Sequence, residues 1–134
     1  MLACGRDAEV AKYVQERVST ILFPPFTALG WADDKGKITA GIVFNCWNGP
    51  DVELTIANDS GLNRSLIYAT AQYVFDQMKC ARCSITVQTK DLKTYETALK
   101  FGFRVEGVKR RGFGDEDAII MGMVREDCRW MRNK

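Results

Sequence analysis

The stretch Asp51-Val-Glu-Leu-Thr-Ile-Ala-Asn-Asp-Ser-Gly-Leu-Asn-Arg-Ser65 is where this chain has the residue types and spacing for chemistry. Val52, Leu54 and Ile56 alternate with Glu53 and Thr55, the pattern of a strand. Asn58-Asp59-Ser60-Gly61 is a polar turn, and from about Leu62 an amphipathic pattern runs to Lys79 with Ile67, Ala71, Val74, Phe75 and Met78 on one face. A strand, a tight polar turn and a helix aim free backbone N–H groups and a positive helix end at one point. Such a point suits a phosphate. The competing reading is an ordinary helix start capped by Asp59 or Ser60.

Histidine is absent. That excludes His-based triads and His-ligated metals, and leaves acid–base work to Glu, Asp, Tyr, Cys or water. Five cysteines form no even disulfide set, and Cys80-Ala-Arg-Cys83 lacks a second pair to complete a four-ligand metal site. The pair reads as a helix-to-strand connection packed by small side chains, with a metal or redox role as the lesser reading.

The elements that must position the 51–65 corner follow from the rest of the chain. Residues 7 to 19 read as a first helix, N-capped by Asp7, with Val10, Ala11, Tyr13 or Val14, and Val18 as its apolar stripe. Phe23-Pro24-Pro25-Phe26 ends it. Residues 27–32 and 37–47 read as two strands joined by the hairpin turn Asp33-Asp34-Lys35-Gly36. With the strand at 51–57 they make an antiparallel meander. A strand at 83–89 follows the long helix. Then comes a helix capped by Asp91, with Leu92, Tyr95 and Leu99 as its stripe and Gly102 as its stop. Strands at 104–108 and 118–124 close the chain. Strands 51–57 and 83–89 flank a helix, so they should be parallel with a right-handed crossover. The expected architecture is a mixed α/β (α+β) domain. Its mostly antiparallel sheet of about six strands is flanked by helices.

The chain is 46% hydrophobic and 27% charged, ordinary for one globular domain. No apolar run approaches a membrane span, and acidic residues interrupt the start where a signal peptide would be apolar. A cytosolic protein is expected. A net charge of +2 gives no reason to expect nucleic acid as a partner.

Two segments resemble the GNAT N-acetyltransferase superfamily, and the likeness runs over nearly the whole chain from about residue 7. One is Ala98-Leu-Lys-Phe-Gly-Phe-Arg-Val-Glu-Gly107 with Arg110-Arg111 and Asp117-Ala-Ile-Ile-Met-Gly-Met-Val-Arg125. It is similar to the family's helix-ending phrase and closing hairpin, most of all in the branch of ribosomal-protein, polyamine and small phage or prophage acetyltransferases. The other is Asn58 to Asn63, against the family's pyrophosphate loop Gln/Arg-x-x-Gly-x-Gly/Ala. Gly61 matches, Asn58 and Asn63 depart, and Arg64-Ser65-Leu66-Ile67 is similar to the family's continuation. Asp91 stands where an asparagine often opens the next-to-last helix, and Ala98 where a tyrosine often protonates the departing thiolate. The family's usual first strand has no counterpart, since the chain opens with a helix.

The resemblance implies acetyl-CoA as co-substrate and direct transfer of acetyl to a primary amine, on a protein or a small molecule. Asn58, Ser60, Gly61, Leu62, Asn63, Arg64 and Ser65 would hold the pyrophosphate, with Asp59 turned outward. Leu54 and Ile56 would present backbone groups to the pantetheine arm, and Asp91 would serve as helix cap or coenzyme ligand. Glu53 is the candidate base, against a solvated strand carboxylate; Asp51 and Glu106 are weaker candidates. Tyr95, one turn before Ala98, would replace the missing tyrosine, against a core position. Lys109-Arg110-Arg111 reads as a solvated run, a ribose-phosphate contact or a face for an acidic partner. Trp31, Trp47 and Trp130 read as core or as acceptor cleft. Edge strands leave room for a homodimer. The competing function is an inactive GNAT-like module that binds a protein partner.

Overall fold

A computed structural model describes residues 1–18, 20–59 and 61–131. The elements in order are β1 (Leu2–Ala3), α1 (Asp7–Gln15), β2 (Phe26–Ala32), β3 (Ile38–Asn45), β4 (Glu53–Asn58), α2 (Arg64–Gln72), β5 (Arg82–Gln88), α3 (Leu92–Phe101), β6 (Arg104–Lys109) and β7 (Ala118–Val124). They form one seven-stranded sheet in the order β1-β2-β3-β4-β5-β7-β6. Every neighbouring pair is antiparallel except β4 and β5, which are parallel. The mixed sheet, its meander and its one parallel crossover agree with the sequence reading.

The helices cover both faces of the sheet. α1 lies on one face, where Val10 and Val14 meet Ala28, Val43 and Ala57. It sits close because Gly30 and Gly41 are cross-strand partners beneath it. A Cβ on Gly41 would stand 2.7 Å from Val10 Cγ1 and 3.0 Å from Val14 Cγ2. α2 and α3 cover the other face, around Ile42, Phe44, Leu54, Leu66, Phe75 and Met121. α2 runs on through a wider turn, Tyr73–Gln77, in which Met78 N–H donates to the Tyr73 carbonyl at 2.8 Å. The tail returns to this face, with Cys128 buried and Trp130 edge-on to Phe101 at 6.4 Å.

Several expectations need correction. The sheet has seven strands because Leu2–Ala3 adds a two-residue β1 to β2, so the chain does not open with a helix. α1 is capped by Arg6, with no side-chain bond, and Asp7 is already helical. It stops at Gln15, where the Gln15 amide donates to the Thr20 carbonyl and accepts from Leu22 N–H at 2.6 Å, folding the chain back. α2 begins later than expected, at Arg64, and its cap is Asn63. On α3 the cap Asp91 and the left-handed stop Gly102 stand as read. The expected stripe does not: Leu92 and Leu99 are exposed, Tyr95 is half-buried, and Ala98 is the buried contact. Trp47 is exposed as well, its indole N–H donating to the Gly49 carbonyl. Cys80 and Cys83 are buried thiols, as a packed connection requires. Burial pushes both thiols up.

Candidate active site

The parallel pair is joined at one point only. Glu53 faces Ser84 in register, Ser84 N–H donates to the Val52 carbonyl at 3.0 Å, and Ala81 and Arg82 N–H donate to Pro50. The strands therefore separate beyond residue 53. The junction is held by charge. Arg82 Nε lies 3.3 Å from Asp51, and the same guanidinium grips Glu106 at 2.6 Å. Ser84 Oγ donates to Asp51 at 3.3 Å.

Beyond that junction lies a cleft of about 440 Å³. Residues 53–56 of β4 and 85–88 of β5 all line it. Successive strand residues point to opposite faces, so the opening passes between the strands and through the sheet. Arg17 and Thr20 reach its rim from the end of α1, Asp91 and Thr94 from the start of α3, and Lys109 and Phe113 from the β6–β7 hairpin. On the α2 side, Leu54 and Ile56 also line a small apolar pocket with Leu62.

The polar turn connects β4 to α2. Asn58 Oδ1 accepts from Gly61 N–H at 2.6 Å, and Gly61 has φ +106°, a conformation that favours glycine. Asn63 Oδ1 accepts from Leu66 N–H at 2.9 Å. Both asparagines that depart from the family pattern thus satisfy N–H groups of their own turn. Helix geometry leaves Arg64 and Ser65 N–H without intrahelical partners, and both side chains are exposed. Ser60 lies outside the described residues. Asp59 is turned toward α1, where Arg17 Nε donates to it at 2.9 Å. Arg17 lies 3.6 Å over the Tyr13 ring. Its hydrogen bond holds the Asp59 carboxyl below its ordinary range, while burial, with Asp59 beside it, pushes the Tyr13 hydroxyl up to about 12.

Of the expected catalytic residues, Glu53 is in the cleft and Tyr95 is not. Glu53 is half-buried at the closed end. The Glu53 carboxylate raises the Cys46 thiol; the Lys109 ammonium opposes that rise. Tyr95 packs against the α2–α3 core. Asp91 lines the cleft and caps α3, accepting from Thr94 N–H at 3.1 Å. Asp51 and Glu106 are both engaged by Arg82, and the Arg82 hydrogen bond holds the Glu106 carboxyl low. Sequence reasoning passed over Arg17, Thr94 and Cys46, and met Lys109 only as part of a charged run. No local pattern marks any of them; the fold gathers them.

No family model and no curated protein matches the sequence. The fold does have solved counterparts. Mutant forms of the spermidine/spermine N-acetyltransferase SpeG from Vibrio cholerae superpose with a TM-score of 0.77 at 13% identity, over 94% of this chain and 95% of theirs. A chimera of that enzyme with hSSAT gives 0.74 at 13% identity, over 94% and 96%. The fold is that of the GNAT N-acetyltransferases. A ribosomal-protein-S5-alanine acetyltransferase from Vibrio fischeri shares this GNAT fold too, at TM-score 0.66 and 16% identity, over 78% of this chain and 64% of that one.

Proposed function

We propose that the protein is an acetyl-CoA-dependent N-acetyltransferase that moves an acetyl group to a primary amine by direct attack. The observation that carries this reading is the through-sheet cleft between β4 and β5, with a carboxylate where the two strands meet, together with the helix start that follows β4. An extended amide-bearing arm fits between separated strands, where the unpaired edge groups of β4 beyond Glu53 offer hydrogen bonds. The α2 N-terminus and its exposed Arg64 supply positive potential for a pyrophosphate. The arm's thioester would then lie toward Glu53.

The chemistry needs little more. A lysine-type ammonium has a pKa of about 10, so the amine must lose a proton before it attacks. Glu53 accepts that proton, directly or through water. The amine nitrogen bonds to the carbonyl carbon, the carbon–sulfur bond breaks, and water protonates the departing thiolate. Water takes that last role because Tyr95 is packed away from the cleft. Positioning the two reactants supplies much of the acceleration.

A second reading, an inactive module that binds a protein partner, draws on two observations. Asn58 and Asn63 occupy N–H groups of the turn, and among the described residues no tyrosine lines the cleft. Calorimetry with acetyl-CoA separates the two. Binding below millimolar concentration, with thiol release when amines are added, is the expected result. No binding up to about 1 mM, an affinity of only about −4 kcal/mol, overturns the enzyme.

A further inference from the structure

The small apolar pocket on the α2 side has a volume of about 60 Å³ and shares two walls with the cleft, Leu54 and Ile56. Ala71 and Val74 of α2, Cys83 of β5 and Trp130 of the tail also line it. Its position follows from the strand register. Glu53 and Ser84 face each other where β4 and β5 meet, and successive strand residues point to opposite faces. Their neighbours Leu54 and Cys83 therefore turn to the α2 side, where both are buried in the core. The pocket thus reaches the closed end of the cleft, on the face opposite Glu53. Among the described residues no charged side chain lines it. The Thr70 hydroxyl, on its wall, already donates to the Leu66 carbonyl at 2.8 Å. Such a space offers water too few partners and suits an apolar group.

Resting on the acetyl-transfer reading above, we infer that this pocket takes the acyl chain of the donor, so that the protein uses acyl groups up to butyryl and prefers butyryl to acetyl. The thioester lies toward Glu53, and a chain longer than acetyl finds apolar walls past Leu54. An apolar cavity of about 150 Å³ takes the six carbons of benzene. In proportion, about 60 Å³ takes about two carbons, the difference between acetyl and butyryl. The bonds made and broken stay those of acetyl transfer. The amine nitrogen bonds to the carbonyl carbon, the carbon–sulfur bond breaks, and water protonates the thiolate. The new element is burial of the chain, which favours the longer donor because each methylene leaves water. A charged acyl group meets no partner on these walls and is disfavoured.

Calorimetry with CoA and its acetyl, propionyl, butyryl and hexanoyl thioesters tests this without an acceptor. Affinity should rise about fourfold with each carbon added from acetyl to butyryl, and fall back at hexanoyl, whose chain exceeds the pocket. Ala71→Leu fills the pocket from α2. It should bring butyryl-CoA level with acetyl-CoA while the Kd for acetyl-CoA stays the same. Ala71→Val should narrow the gap in part, and serves if leucine overpacks the core; melts of both variants establish that they fold. A wild-type series that is flat, falls from acetyl or keeps rising to hexanoyl overturns the inference. So does a butyryl preference undiminished in the folded Ala71 variants. CoA binding with no gain from the chain sinks this inference alone; failure of CoA and all its thioesters to bind sinks the acetyl-transfer reading with it.

Discussion

Glu106 grips the Arg82 guanidinium with two hydrogen bonds, Nη1 to Oε2 at 2.9 Å and Nη2 to Oε1 at 2.6 Å, spanning β7 at Gly122. A Cβ at Gly122 would collide with both side chains. The glutamate of the family-like phrase therefore has a structural use here: it fixes Arg82, which also faces Asp51 at the cleft's closed end. The Arg82 hydrogen bond lowers the Glu106 pKa. Its folded value then lies below the unfolded value of about 4.3. The stabilisation is present above that unfolded value and is lost as pH falls through the lower folded value. Glu106→Gln should cost about 1 kcal/mol at pH 7, discounted for partial exposure, and almost nothing near pH 2. Urea midpoints at the two pH values check this. A gap of equal size at both would mean that charge is not what Glu106 contributes.

Two left-handed glycines should respond differently to alanine. Gly102, at φ +118°, ends α3, and a Cβ there would run into the Asp127 carbonyl. Gly61, at φ +106°, has open space around it. Gly102→Ala combines backbone strain with a clash against main chain, and should cost about 3 kcal/mol or more. Gly61→Ala carries the strain alone, about 1 kcal/mol. Denaturant melts of the two variants decide it; equal losses would refute the contrast.

The two ends of α3 show what is legible in a sequence. A cap at Asp91 and a stop at Gly102 are local signals, and both hold. Its stripe misleads because periodicity finds a face without saying how close the face lies. α3 meets the core through the small Ala98, which leaves Leu92 and Leu99 at the flanks in solvent and turns Tyr95 into the core. At the start of α2, Asp59, Ser60 and Asn63 are all competent caps, and Asn63 is the one whose side chain bonds into the helix. β1 is too short to carry a pattern. The parting of β4 and β5 depends on Asp51, Arg82, Ser84 and Glu106, which come from three separate segments. Glu53 and the strand–turn–helix succession were legible because the three are contiguous, although the cap and first residue of α2 were not. Arg17 and Lys109 reach the cleft only through the tertiary fold.

Cys46 can report on Glu53. The Glu53 carboxylate raises its thiol, while Lys109 pulls it down. Only a thiolate is alkylated readily. In a Cys4→Ser background, iodoacetamide at pH 8 should therefore modify Cys46 several-fold faster after Glu53→Gln and more slowly after Lys109→Met. Insensitivity to both changes would place these groups apart. The same Glu53→Gln should lower acetyl transfer at pH 7 by about 10²-fold, with acetyl-CoA affinity retained. An unaltered pH–rate profile would assign proton removal to water or another group.

The turn offers the sharpest test of where the coenzyme sits. Asn63 Oδ1 occupies Leu66 N–H at 2.9 Å, and its side chain stands where the family-like loop has a small residue. Asn63→Gly frees that N–H and removes the obstruction. Glycine is an acceptable cap, so the change should cost only a few tenths of a kcal/mol. If the turn binds the pyrophosphate, the released N–H gives the anion one more donor at the positive end of α2, and acetyl-CoA should bind about three- to tenfold more tightly. Asn63→Asp keeps the cap but adds a negative charge, and should weaken binding by a similar factor. Calorimetry of both variants, alongside their melts, reads the two effects separately. Affinities that stay level while the folds remain intact would mean that the β4–α2 corner caps a helix and holds no phosphate.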